Sequence, residues 1–234
     1  MQYKVADIQE AVRVILDQNQ TESIIASEDN TLKLDEIIKQ KIVHAARHLL
    51  ETSDVSAIDY GKTLDGGTLI EIGEVGSLSI YKLPCPSDYL RLLSLQMSDW
   101  RRAVHTTIPE NAEEYAELKS GFMGITGNPE RPAVAECMGR GGDPDDDVRW
   151  LEIYSSATGE LLAGKNRYCP IPEIKKETVG GVANTEVLYF PERLYRMLLY
   201  QTASFVAATY KDTALSQLLM NMVYDGEPEE KPEQ

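Results

Sequence analysis

Cysteine is scarce: Cys85, Cys137 and Cys169 are the only three in 234 residues, and no two of them form a C-x-x-C pair. An odd, widely spaced set excludes a disulfide framework and a structural zinc knuckle, and it suits synthesis in a reducing cytoplasm. Long hydrophobic runs are missing as well. Nothing approaches the roughly 18 consecutive apolar residues of a membrane span. The start Met1-Gln2-Tyr3-Lys4-Val5 lacks the charged-then-apolar pattern of a secretory leader, so a soluble, non-secreted protein is expected. Basic charge is in the minority, with 23 Lys and Arg against 38 Asp and Glu and a formal net charge of −15. A protein that clamps DNA needs local positive charge to displace counterions, so a wrap-around DNA binder is excluded, although DNA passing along an acidic wall is not.

Recognised catalytic constellations are also lacking. Gly159-Glu160-Leu161-Leu162-Ala163-Gly164-Lys165-Asn166 falls one residue short of the phosphate-loop pattern. Asn166 stands where magnesium needs a hydroxyl, and Pro170 and Pro172 break the helix that should follow, so a glycine-marked hairpin turn is the better reading. Asp143-Pro144-Asp145-Asp146-Asp147 opens like a calcium loop, but Val148 occupies the glycine position and Tyr154 the position of the bidentate glutamate. His44 and His48 share a helical spacing without the glutamate of H-E-x-x-H or a third ligand. His105 has no nucleophile elbow near it. No cofactor, no metal and no enzymatic activity are expected.

What is present is structural patterning. Val5, Ile8, Val12, Ile15 and Leu16 predict an amphipathic helix over 5–18. Leu34, Ile38, Ile42, Ala45 and Leu49 predict a second, capped by Asp29, Asn30 or Thr31. From Asp54 to Tyr81 glycines and alternating apolar residues predict short strands. Leu83-Pro84-Cys85-Pro86-Ser87-Asp88-Tyr89-Leu90-Arg91-Leu92-Leu93 is the most distinctive segment: two prolines make a rigid corner, and the apolar run behind them predicts a strand continuing toward Trp100. Pro109 opens a short helix to Lys119. Ala133 to Cys137 and Arg149 to Tyr154 alternate as a hairpin with one buried face. Gly180-Gly181 predicts a turn before a last strand at Glu186 to Phe190. Pro191 then opens one long C-terminal helix to about Tyr224, with Leu194, Leu198, Phe205, Leu215 and Leu219 on its apolar stripe. The last ten residues, 225–234, have almost nothing to bury and predict an acidic, flexible tail. Trp100-Arg101-Arg102 is the densest basic-aromatic cluster, of the residue types enriched at interface hot spots, and marks the candidate interface.

Taken in order along the chain, Leu83-Pro84 with Pro86-Ser87-Asp88-Tyr89-Leu90, then Arg131-Pro132-Ala133-Val134-Ala135, then Trp150 to Tyr154, then Cys169-Pro170-Ile171-Pro172 and Phe190-Pro191 into Thr202 to Asp212, resemble the head-to-tail adaptor proteins of tailed bacteriophages. These are also called connector, head-completion or tail-tubular proteins. Two features depart from the pattern: Cys85-Pro86-Ser87 lengthens the spacing from the first proline to the aspartate, and 139–147 reads as an insertion.

The resemblance implies an α+β fold, a helical bundle of two N-terminal helices and the long C-terminal helix with a β-rich insertion. In residues, 1–224 is a single adaptor-like domain, with 1–52 and 190–224 helical and 53–189 β-rich with a short helix near 110–120. It implies a virion structural protein at the head-to-tail junction, assembled in the host cytoplasm as a homo-oligomeric ring of twelve. The implied partners are the portal protein and a tail or second ring protein, with double-stranded DNA passing through unspecifically. The tail would order on portal binding. Two other classes are weighed beside it, a bacterial small-molecule or effector-binding protein and a hydrolase, the latter weakened by the missing acid-base constellation.

Overall fold

A computed structural model describes residues 1–18, 28–64, 69–75, 78–119, 129–140 and 147–224. The acidic tail 225–234 and most of the acidic loop at 139–147 lie outside the described residues. The chain forms two compact units, one from 1–60 with 171–234 and the other from 61–170.

The first unit begins with β1 (Gln2–Lys4), α1 (Val5–Gln18) and α2 (Glu28–Thr52). The second holds β2 (Lys62–Thr63), β3 (Ile70–Val75), β4 (Leu78–Pro84), β5 (Tyr89–Ser94), β6 (Ile108–Pro109), α3 (Glu113–Lys119), β7 (Ala133–Arg140), β8 (Asp147–Ser156) and β9 (Arg167–Pro170). The chain then returns to the first unit with β10 (Ile174–Val179), β11 (Val182–Tyr189), α4 (Tyr195–Thr209) and α5 (Thr213–Tyr224).

In the first unit, Val5, Ile8, Val12 and Leu16 of α1 and Leu34, Ile38, Ile42, Ala45 and Leu49 of α2 are buried, as their 3.6-residue spacing dictates. Both helices pack on α4. The three-stranded sheet β1-β11-β10 belongs to the same unit, and Tyr3 of β1 stacks on Tyr195 of α4 with ring centroids 4.1 Å apart. Gly180 and Gly181 both take positive φ, 59° and 85°, which is what a two-residue hairpin between β10 and β11 requires.

These findings overturn the expected helical bundle with one long C-terminal helix. The described residues hold five helices and eleven strands in three sheets, and the C-terminal helix is two helices. It breaks at Tyr210-Lys211-Asp212. Lys211 turns left-handed at φ 64°, and the Asp212 carboxylate accepts the Leu215 N–H at 3.0 Å as the N-cap of α5. The two helices then lie together, with Ser204 Oγ donating to the Ser216 carbonyl at 2.9 Å. Burying the apolar stripe within the unit outweighs the continuity of one helix.

In the second unit, a five-stranded sheet ordered β3-β4-β8-β7-β6 faces a three-stranded sheet ordered β2-β9-β5. Leu83, Val134, Leu151 and Ile153 on one side and Tyr89, Leu92, Leu95 and Tyr168 on the other form one core, joined by Met97 and Trp100. On the opposite face of the large sheet, Ala133, Ala135 and Cys137 are small enough to let α3 lie close, and Tyr115 and Leu118 pack there. The predicted helix after Pro109 starts later than expected, because Ile108 and Pro109 pair in parallel with Ala135 and Glu136 of β7.

Candidate interface site

The proline-marked corner is a junction between the two sheets of the second unit. Pro84 ends β4, Cys85 N–H donates to the Arg149 carbonyl at 2.9 Å, and Tyr89 N–H returns to the Pro86 carbonyl at 3.0 Å, closing a turn that launches β5. Asp88, at the tip of that turn, holds both neighbouring strands. Its carboxylate pairs with Lys62 of β2 and accepts the Tyr168 hydroxyl of β9 at 2.8 Å. Burial pushes the Asp88 carboxyl up, but the bonds from Lys62 and Tyr168 and the Lys62 charge outweigh it, and its pKa lies below the ordinary value. The Tyr168 phenol is pushed up to about 12 by burial and by the Asp88 carboxylate it donates to.

The next residue extends the network. Tyr89 stacks against Tyr168 with centroids 5.8 Å apart, and the Arg149 guanidinium lies 5.8 Å from its ring centroid. Arg149 Nη1 sits 3.5 Å from Glu136 Oε1, and Thr107 Oγ1 donates to Glu136 Oε2 at 3.1 Å. Burial, with the Glu136 charge nearby, pushes the Cys85 thiol up to about 12. The cluster is therefore a set of satisfied charges beside one inert thiol, and it positions strands.

Trp100, Arg101 and Arg102 do not act as one patch. Leu95 and Val104 exchange both backbone hydrogen bonds at 2.8 Å, so 96–103 form a closed loop beyond the end of β5. Trp100 turns into the core at 4% exposure, and its carbonyl accepts from Gln96 Nε2 at 3.0 Å. Arg101 and Arg102 stay exposed at the loop tip, where Arg101 pairs with Glu130 at 3.3 Å. Both partners of that pair are largely solvated, so it adds little stability and leaves the guanidinium available to a neighbour.

The other motifs resolve into structure. Asn166 is buried; its Oδ1 accepts the Gln96 N–H at 2.9 Å, and its Nδ2 donates to the Leu162 carbonyl at 2.9 Å, so it pins a turn. His48 is hydrogen-bonded to Gln201 at 2.8 Å, and His105 Nδ1 donates to the Leu93 carbonyl at 2.7 Å. Among the described residues no group of three or more His, Cys, Asp and Glu side chains converges on a metal position. No described helix is long and apolar enough to cross a membrane.

One polar cluster was not foreseen. Glu152, 7% exposed, accepts the Tyr154 hydroxyl at 2.8 Å and the Tyr115 hydroxyl at 3.0 Å, and Trp150 Nε1 reaches it at 3.4 Å. Lys82, opposite Glu152 on β4, lies 3.8 Å from the Trp150 ring centroid. Burial raises both phenols above their ordinary range, with the bonds to Glu152 adding to it, and pushes the Cys137 thiol up to about 11. The signal was in the sequence: Trp150, Glu152 and Tyr154 alternate with Leu151 and Ile153, so strand periodicity places the glutamate on a face with two aromatics. Its buried partner on α3 was not readable that way.

No family model matches the chain, and no curated protein matches it.

Proposed function

We propose that this chain is a virion structural protein, a ring-forming head-to-tail adaptor of a tailed bacteriophage that docks on the portal and extends the DNA channel toward the tail. The observation that carries this reading is the chain path. A helix pair and a β-strand open the first unit, the whole of 61–170 is inserted as a second unit containing the proline-marked strand, and Pro191 leads back into the closing helices. That is the order in which the adaptor-like motifs run along the sequence. An acidic chain suits a conduit, since it repels the phosphate backbone and leaves DNA free to move. The exposed arginines at the tip of the Leu95–Val104 loop fit a contact with a neighbouring subunit or with the portal. The work is done in the virion after assembly in the host cytoplasm, without catalysis.

The test is assembly on the portal ring encoded by the same genome, followed by native mass measurement. A complex of defined stoichiometry supports the adaptor reading, and no co-assembly across a range of salt concentrations rejects it. Replacing Arg101 and Arg102 by glutamate should weaken assembly while leaving the thermal melt of the isolated chain unchanged.

A further inference from the structure

We propose that two copies of this chain pair through the outer side of α5, the two helices lying antiparallel across a two-fold axis at Leu218. The pairing goes beyond the adaptor reading: a two-fold contact joins two free copies and stops, whereas a ring needs contacts of the heterologous kind.

Between Met197 and Tyr224 the only charged residues are Lys211 and Asp212, side by side in the turn before α5, and the Asp212 carboxylate is taken up by the Leu215 N–H. α5 itself carries no charged residue, in a chain that is 26% charged. Its Leu215, Leu219 and Val223 are buried, and it packs chiefly on α4. That leaves a second apolar line uncovered. Ala214 is exposed, Leu218 is 47% exposed and Met222 is half-buried, and their spacing of four residues sets them along one ridge of the helix. A helix that is apolar beyond the side facing its neighbour is ordinarily covered there as well. Gln217 and Asn221, exposed beside the ridge, are polar without charge and can hydrogen-bond across a contact.

Charge selects the occupant. The net charge of the chain is −15, so a second copy is repelled by most of the first and comes close only where charge is missing. A basic partner would be drawn to the carboxylates instead, and a neutral face offers it nothing. Side-chain size sets the register. An antiparallel partner centred on Leu218 places each Leu218 on the other and brings Ala214 of one copy over Met222 of its partner, small against large, on both sides of the axis. Ridges of four-residue spacing are the ones that interdigitate in the commonest class of helix packing.

The test uses the full chain, read by sedimentation velocity over a concentration series and by mild oxidation of variants with one added cysteine. The wild type should form a dimer. L218E puts two carboxylates at the axis in place of two leucines and should weaken the dimer about a hundredfold, with the helical circular dichroism retained. Q217E, at an exposed position beside the ridge, should weaken it about tenfold and serves where L218E melts early. L218C should cross-link to itself, A214C should not, and A214C mixed with M222C should, because residue 214 meets residue 222 of the other copy. Dimers that persist in both L218E and Q217E, or A214C linking to itself as readily as L218C, overturn the pairing. A wild type that stays monomeric at every concentration overturns it too, and loss of portal binding in L218E would then assign this face to the portal. The portal experiment with the wild type decides the adaptor reading separately.

Discussion

The hydroxyl of Tyr168 donates to the carboxylate of Asp88 at 2.8 Å, linking the middle strand of the small sheet to the turn that follows the two prolines. Lys62, from the strand on the far side of β9, reaches the same carboxylate. The aspartate of the most distinctive segment thus fastens three strands at one point. Replacing Tyr168 by Phe removes one hydrogen bond to a charged acceptor and should lower stability by about 1.5–3 kcal/mol, read as a lower midpoint in urea. An unchanged midpoint would show that the bond contributes nothing.

Asp88 also makes stability depend on acid. Its pKa is depressed in the folded chain, so its contribution is fully present above the unfolded value of about 3.9 and is lost as pH falls through the lower folded value. The stability gap between the wild type and D88N should therefore be constant near neutrality and shrink below about pH 3.9. A gap that persists or widens in acid contradicts the assignment.

Glu152 should anchor α3. In E152A the hydroxyls of Tyr115 and Tyr154 lose their shared acceptor inside the protein, at about 2–4 kcal/mol, whereas E152Q keeps an acceptor oxygen and should cost less. Hydrogen exchange should quicken in α3 before it does in β7. Equal protection of α3 in E152A and the wild type would refute the anchor.

The break between α4 and α5 can be tested from both sides. D212A removes the N-cap bond to Leu215 and should destabilise by about 1 kcal/mol. K211G relieves a left-handed lysine and should stabilise by about 1 kcal/mol, visible as a higher melting temperature. If K211G lowers the melt, the break is not where the strain lies.

The thiols should be slow to react in the folded chain. Cys85 and Cys137 are pushed up to about 12 and about 11 chiefly by burial, so little of either is thiolate near neutral pH, and Cys169 is shielded by burial from reagents. Disulfide-exchange reagents should label all three in denaturant and scarcely any in buffer.

How legible these features were differs by element. The stripes of α1 and α2 were readable because helix periodicity survives burial on one side. The period of β5 was ambiguous for a physical reason: its pairing with β9 shifts register twice, between Tyr89 and Arg91 and between Leu92 and Ser94, so strict alternation is lost. The break at Asp212 was not read, because apolar residues continue at helical spacing on both sides of it and predicted one long helix. Trp100 joined Arg101 and Arg102 by adjacency alone, and adjacent residues in a loop can point to opposite environments. Gly139 is explained only by its neighbour across the ladder, since a Cβ there would stand 2.4 Å from the Trp150 ring.

By itself the sequence determined the local matters: which helical faces are apolar, where prolines and the Gly180-Gly181 pair turn the chain, and that the whole is strongly acidic. These depend on residues within one or two turns of each other, or on simple sums. Tertiary structure decided the rest. Strand neighbours, the split of the C-terminal helix, the gathering of Lys62, Asp88 and Tyr168, and the burial of Glu152 under Tyr115 all join residues tens of positions apart, and only packing selects among the partners that each of them could have had.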